Sequence, residues 1–96
     1  MSEPLKPEAL EAARVELPGW TVDENALSKT FELKDFREAV GFIVRLAFEA
    51  ESLNHHPELQ NVYNRVVVRL TTHDAGNRVT TKDLELARAI ERLYGK

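Results

Sequence analysis

The stretch 35-DFREAVGFIVRLAFEAESLNHHP-57 decides how this chain is built. Asp35 followed by Glu38 is a capping-box signature: Asp35 can accept from the first free N–H groups of a helix, and Glu38 can reach back. Phe36, Ala39, Val40, Ile43, Leu46, Ala47, Ala50 and Leu53 then recur at helical spacing and predict a core stripe. Phe42, Val44 and Phe48 widen it beyond what one sheet face needs. In a chain of 96 residues, that excess predicts a second buried face at a subunit interface. Pro57 disfavours the α conformation at His56, so the helix is expected over 35–54, ending at the histidine pair.

Strand patterns flank this helix. Upstream, Trp20-Thr21-Val22 alternates, Asp23-Glu24-Asn25 supplies turn residues, and 27–33 alternates again. Leu27, Phe31 and Leu33 share a face that Lys29 interrupts. Downstream, 59–63 and 66–72 predict a second hairpin with Asn64-Arg65 as its two-residue turn. Pro7 suits the first turn of a helix over 7–17, which carries Leu10, Ala13 and Leu17 on one face and is stopped by Pro18-Gly19. Thr80 or Thr81 caps a last helix with Leu86, Ala87, Ile90, Leu93 and Tyr94 as its apolar stripe. The expected order is α-β-β-α-β-β-α over a single domain, 1–96. Such a chain is α+β, with an antiparallel sheet covered on one face by three helices.

Composition narrows the function. With 43% hydrophobic and 30% charged residues, the chain reads as globular. A net charge of -3 gives no electrostatic footprint for nucleic acid. There is no cysteine, hence no thiolate site or disulfide, which is compatible with a cytoplasmic location. Neither a secretory leader nor a run of transmembrane length is read, so no membrane partner is expected.

Of the three histidines, His55 and His56 are adjacent at a helix end and His73 closes the run 71-TTHD-74. A lone histidine at a helix C-terminus is ordinarily a cap, satisfying an orphan carbonyl and favoured by the dipole. Two are more than a cap needs. Glu51, four residues before His55, is expected to orient that ring. Metal ligation fits poorly, because adjacent residues rarely aim both rings at one ion and no HxH or HxxxH spacing occurs. Acid–base chemistry by imidazoles remains. Strict alternation would turn His73 away from the helix-covered face. Either the site opens on the other face or a bulge re-aims the ring.

Taken together, Glu51-x-x-x-His55-His56-Pro57, Asn61-Val62-Tyr63-Asn64-x-Val66, Thr72-His73 and Thr80-x-x-Asp83 resemble the pterin-4a-carbinolamine dehydratase family, from Trp20 to Leu93. The resemblance implies a four-stranded antiparallel sheet with three helices on one face. It also implies homodimers or homotetramers built through sheet edges and the 35–54 helix. The implied reaction removes water from a 4a-hydroxytetrahydropterin to give the quinonoid dihydropterin, recycling the pterin after aromatic amino-acid hydroxylation. It uses no metal and no organic cofactor. The implied catalytic set is His55, His56 and His73: His55 and His73 move protons in roles that can be exchanged, and His56 orients the pterin. Glu51, Asn54, Thr71, Thr72, Asp74 and Asp83 join these histidines in the implied substrate-binding set, and Trp20 matches a position near the pocket.

Three departures stand out. Leu59 replaces a frequent tryptophan, Asn54 replaces an aspartate of animal members, and the loop through Gly76-Asn77-Arg78 is one residue longer than usual. Two other readings accompany the resemblance. Animal members also bind a homeodomain transcription factor, so a protein-interaction module without required catalysis is one. A pterin role in molybdenum-cofactor metabolism is the other.

Overall fold

The computed structural model describes residues 3–95; the assignment of Met1, Ser2 and Lys96 to the domain lies outside the described residues. The elements are α1 (Pro7–Glu16), β1 (Thr21–Val22), β2 (Leu27–Glu32), α2 (Phe36–Ser52), β3 (Glu58–Val62), β4 (Arg65–Leu70) and α3 (Thr81–Tyr94). A 3₁₀ turn, His73–Ala75, lies between β4 and α3. The strands form one antiparallel sheet in the order β1-β2-β4-β3. This is the α+β arrangement expected from the sequence.

Period-2 alternation sorts the sheet into two faces. Val22, Leu27, Phe31, Val66, Val68 and Leu70 are buried under the helices. In register on the open face lie Thr21 with Ser28, Glu58 with Arg69, and Gln60 with Val67. Arg69 and Glu58 form an ion pair there at 3.1 Å. Lys29 shares the helix-covered face. Its Nζ lies over the Phe31 ring, 4.8 Å from the centroid, and donates to Glu91 at 2.5 Å. A long cationic side chain can thus cover apolar surface and keep its head paired.

Helix α2 starts as predicted, with the Asp35 side chain accepting from the Glu38 N–H. Its buried residues are Ala39, Phe42, Leu46 and Ala50. The predicted stripe therefore needs correction: Phe42 belongs to the core, whereas Phe36, Val40 and Ala47 do not. Phe36, Val40, Val44 and Phe48 form a separate exposed row at i, i+4, i+8 and i+12. The second hairpin also differs by one residue. Val62 pairs with Arg65, so Tyr63-Asn64 is the turn, and Tyr63 takes a positive φ of 53°.

Trp20 is core. Its ring meets Phe31 edge-on at 5.9 Å and its Nε1–H donates to Glu91 at 2.8 Å. Among the described residues, no helix is long and apolar enough to cross a membrane.

Candidate functional site

The end of α2 places the histidine pair. Leu53 caps the helix and Asn54 turns left-handed at φ 52°. The N–H of Asn54 then donates to Glu51 O, and that of His55 to Ala50 O, both at 3.0 Å. This is a Schellman motif with asparagine in the left-handed position. The orphan carbonyls are met by backbone, so neither imidazole is needed as a cap.

His55 is buried at 8% exposure, and its Nε2–H donates to Asp83 Oδ1 at 2.5 Å. Asp83 is wholly buried. Its Oδ2 accepts from the Thr72 hydroxyl at 2.8 Å and from the Thr80 N–H at 2.9 Å. The Thr72 and Thr80 hydroxyls are themselves 2.7 Å apart. Thr80 caps α3 by accepting from the Lys82 N–H at 3.2 Å. Three donors thus hold a buried carboxylate at a helix N-terminus, an arrangement that lets a charge stay out of water. Among the described residues Nδ1 of His55 has no hydrogen-bond partner and no buried side-chain polar atom goes without one, so Nδ1 reaches the surface.

His56 points elsewhere. It is exposed, and its Nε2–H donates to Glu51 Oε1 at 2.9 Å. The expected Glu51–His55 pairing is therefore corrected: Glu51 orients His56, and Asp83 orients His55. The four-residue spacing applies within a continuous helix, and Asn54 breaks the helix before His55 is reached.

The alternation question at His73 is resolved by the backbone. Strand β4 stops at Leu70, consecutive Thr71 and Thr72 are both buried, and His73 opens the 3₁₀ turn. A bridge between Thr72 and Arg78 closes the loop that follows. The histidine is aimed by a turn, not by a strand or a bulge.

These segments meet around a cavity of about 310 Å³ lined by Asn54, His55, His56, Pro57, Glu58, Thr71, Thr72, His73, Asp74 and Lys82. That is at the small end of ligand sites. Of the residues predicted from sequence, Asn54, His55, His56, Thr71, Thr72, His73 and Asp74 line it. Glu51 and Asp83 stand behind His56 and His55, and Trp20 is not in the lining. The Thr71 hydroxyl is turned to Asn25 O at 2.7 Å. Sequence reasoning missed Glu58 and Lys82 in the wall and the second role of Thr80. Only the adjacency of Glu58 to Pro57 and of Lys82 to Asp83 hinted at the first two. Among the described residues, no three His, Cys, Asp or Glu side chains converge as a metal site.

The arrangement offers two imidazoles in unlike settings, one backed by a buried carboxylate, flanking a polar cleft that can bind and move protons. Residues 3–93 match the sequence model of a family described as Pterin 4 alpha carbinolamine dehydratase. A protein of Opitutus terrae is 62% identical over 78 residues, covering 81% of this chain and 80% of its own. One of Rhodopseudomonas palustris is 50% identical over 95 residues, covering 97% and 93%. Both are provisionally named as pterin-4-alpha-carbinolamine dehydratases. The crystal structure of a transcriptional coactivator/pterin dehydratase from Brucella melitensis superposes with a TM-score of 0.89 at 41% identity. It covers 96% of this chain and 99% of that one.

Proposed function

Because the chain belongs to the pterin-4a-carbinolamine dehydratase family, an enzyme family of hydro-lyases, we propose that it removes water from 4a-hydroxytetrahydropterin by histidine acid–base catalysis. The observation that carries this reading is the convergence of His55, His56 and His73 on one cleft, with Asp83 buried behind His55. The C4a–O bond breaks with its electron pair going to oxygen, which takes a proton and departs as water. A ring N–H gives up its proton, and its electron pair forms the new C–N double bond. His55 and His73 carry these two transfers, each typically worth about 10²–10⁴-fold. His56, steadied by Glu51, binds and orients the pterin. The proton steps need no metal or organic cofactor. The product is the quinonoid dihydropterin, and the role is recycling of tetrahydropterin after aromatic amino-acid hydroxylation.

The test is the dehydration rate of 4a-hydroxytetrahydropterin with the purified protein, with and without chelator. The expected result is acceleration that chelator leaves unchanged. Wild-type rates in both His55→Ala and His73→Ala would remove the mechanism.

The exposed row Phe36, Val40, Val44 and Phe48 favours an additional reading, self-association through α2. Its size and apolar character suit a second copy of the same helix.

A further inference from the structure

The histidine cavity has a neighbour on the open face of the sheet. Glu58, which lines the cavity, also lines a groove of about 190 Å³ with Gln60, Val67 and Arg69. Gln60 and Val67 in turn line a hollow of about 270 Å³ with Thr30, Val62 and Arg65. Shared walls join the three spaces into one track. It follows the β3–β4 pair from the register position Glu58–Arg69 to Val62–Arg65. Four residues of strand make that length about 14 Å.

The chemistry changes along the track. At the cavity end Arg69 is held by Glu58 at 3.1 Å. In the middle Val62 is exposed and Val67 half-buried, an apolar strip beside the amide of Gln60 and the hydroxyl of Thr30. At the far end Arg65 is exposed. It joins no ion pair among the described residues, although Glu32 stands opposite it in register on β2. A free guanidinium is a planar fork suited to a carboxylate.

A cavity of about 310 Å³ is at the small end of ligand sites, so a long substituent on a bound pterin has to leave it. We propose that the open face of β3–β4 is a subsite for the C6 substituent of the substrate. It favours a pterin whose substituent is an aromatic amide ending in a carboxylate. The aromatic ring lies on Val62 and Val67, and Arg65 binds the carboxylate. This rests on the reading above, that the histidine cavity takes the 4a-hydroxytetrahydropterin ring.

Two substrates with the same reacting ring test it. The 4a-hydroxy form of 6-methyltetrahydropterin has no tail; that of tetrahydrofolate carries an aminobenzoyl-glutamate. The tailed substrate should show a KM lower by about tenfold, from apolar contact and an exposed ion pair together, with kcat little changed. Added salt should narrow the gap. Arg65→Gln should raise KM for the tailed substrate about fivefold and leave the 6-methyl substrate unchanged. Arg65→Lys keeps the charge and should keep part of the preference. Fluorescence titration with folic acid and 6-methylpterin, which do not react, reads the same preference without turnover. Equal affinity for the two compounds overturns the proposal. So does an Arg65→Gln variant that weakens both equally or neither. Absence of dehydration, with the preference kept in the titration, overturns the earlier reading instead and supports the subsite.

Discussion

Asp83 Oδ1 lies 2.5 Å from Nε2 of His55, and the carboxylate has no contact with solvent. One side chain therefore caps α3 and holds an imidazole from the end of α2. Asp83→Ala strands the Thr80 N–H and the His55 N–H at once and leaves the Thr72 hydroxyl only its contact with Thr80. Breaking such a buried pair costs about 3–5 kcal/mol, which urea unfolding should register. Asp83→Asn keeps the shape but turns one accepting oxygen into a donor, and a smaller loss, about 1–3 kcal/mol, is expected.

The histidines should separate kinetically. His55→Ala and His73→Ala should each lower kcat by roughly 10²–10⁴-fold. His56→Ala should act mainly on KM, because His56 is exposed and tied to Glu51 at the rim. Steady-state kinetics on 4a-hydroxytetrahydropterin distinguishes the two patterns, and a kcat loss at His56 equal to that at His55 would contradict the division of roles.

Two phenylalanines of one helix should behave as opposites. Phe42 is 1% exposed and meets Phe31 at 5.1 Å between ring centroids, so Phe42→Ala should destabilise the fold by about 3–5 kcal/mol. Phe48 is 73% exposed, and Phe48→Asp should leave the protomer folded while reducing self-association. Sedimentation velocity with circular dichroism checks both; an unchanged sedimentation coefficient in Phe48→Asp would rule out that face as the contact.

Acid should loosen one clamp between α1 and α3. Arg88 Nε donates to Glu16 Oε2 at 2.5 Å and Nη2 to Oε1 at 2.9 Å. The hydrogen bond from Arg88 holds the Glu16 carboxyl below its ordinary 4.5, opposed by desolvation and aided by the guanidinium charge. A depressed folded-state value means the contribution is complete above the ordinary value and disappears as pH falls through the folded one. Arg88→Ala should therefore flatten the decline of urea midpoints as pH falls below 4.5.

The element order was legible because its signals are local. Asp35 with Glu38, Thr80 with Asp83, Pro7 and the alternating runs each declare an element within a few residues. What faces what was less legible. In α2 the apolar residues make two overlapping rows, and only docking on the sheet selects Ala39, Phe42, Leu46 and Ala50 as the inner one. The Tyr63-Asn64 turn was misread by one residue because a bulky aromatic at positive φ is intrinsically disfavoured. At the site, the histidines and the TTHD run were visible as types. Their partners were not, since Asp83 reaches His55 across 28 positions and His73 meets Asn77 across a turn that alternation does not foresee.

The Schellman end of α2 has a consequence for how this surface can change over generations. Because main-chain groups of Asn54 and His55 close the helix, the α2 terminus does not depend on which rings occupy 55 and 56. Positions 56 and 73, being exposed, are free to drift toward new ligands without unravelling the scaffold. Position 55 is the exception, bound to its buried aspartate, and descent should alter those two only together.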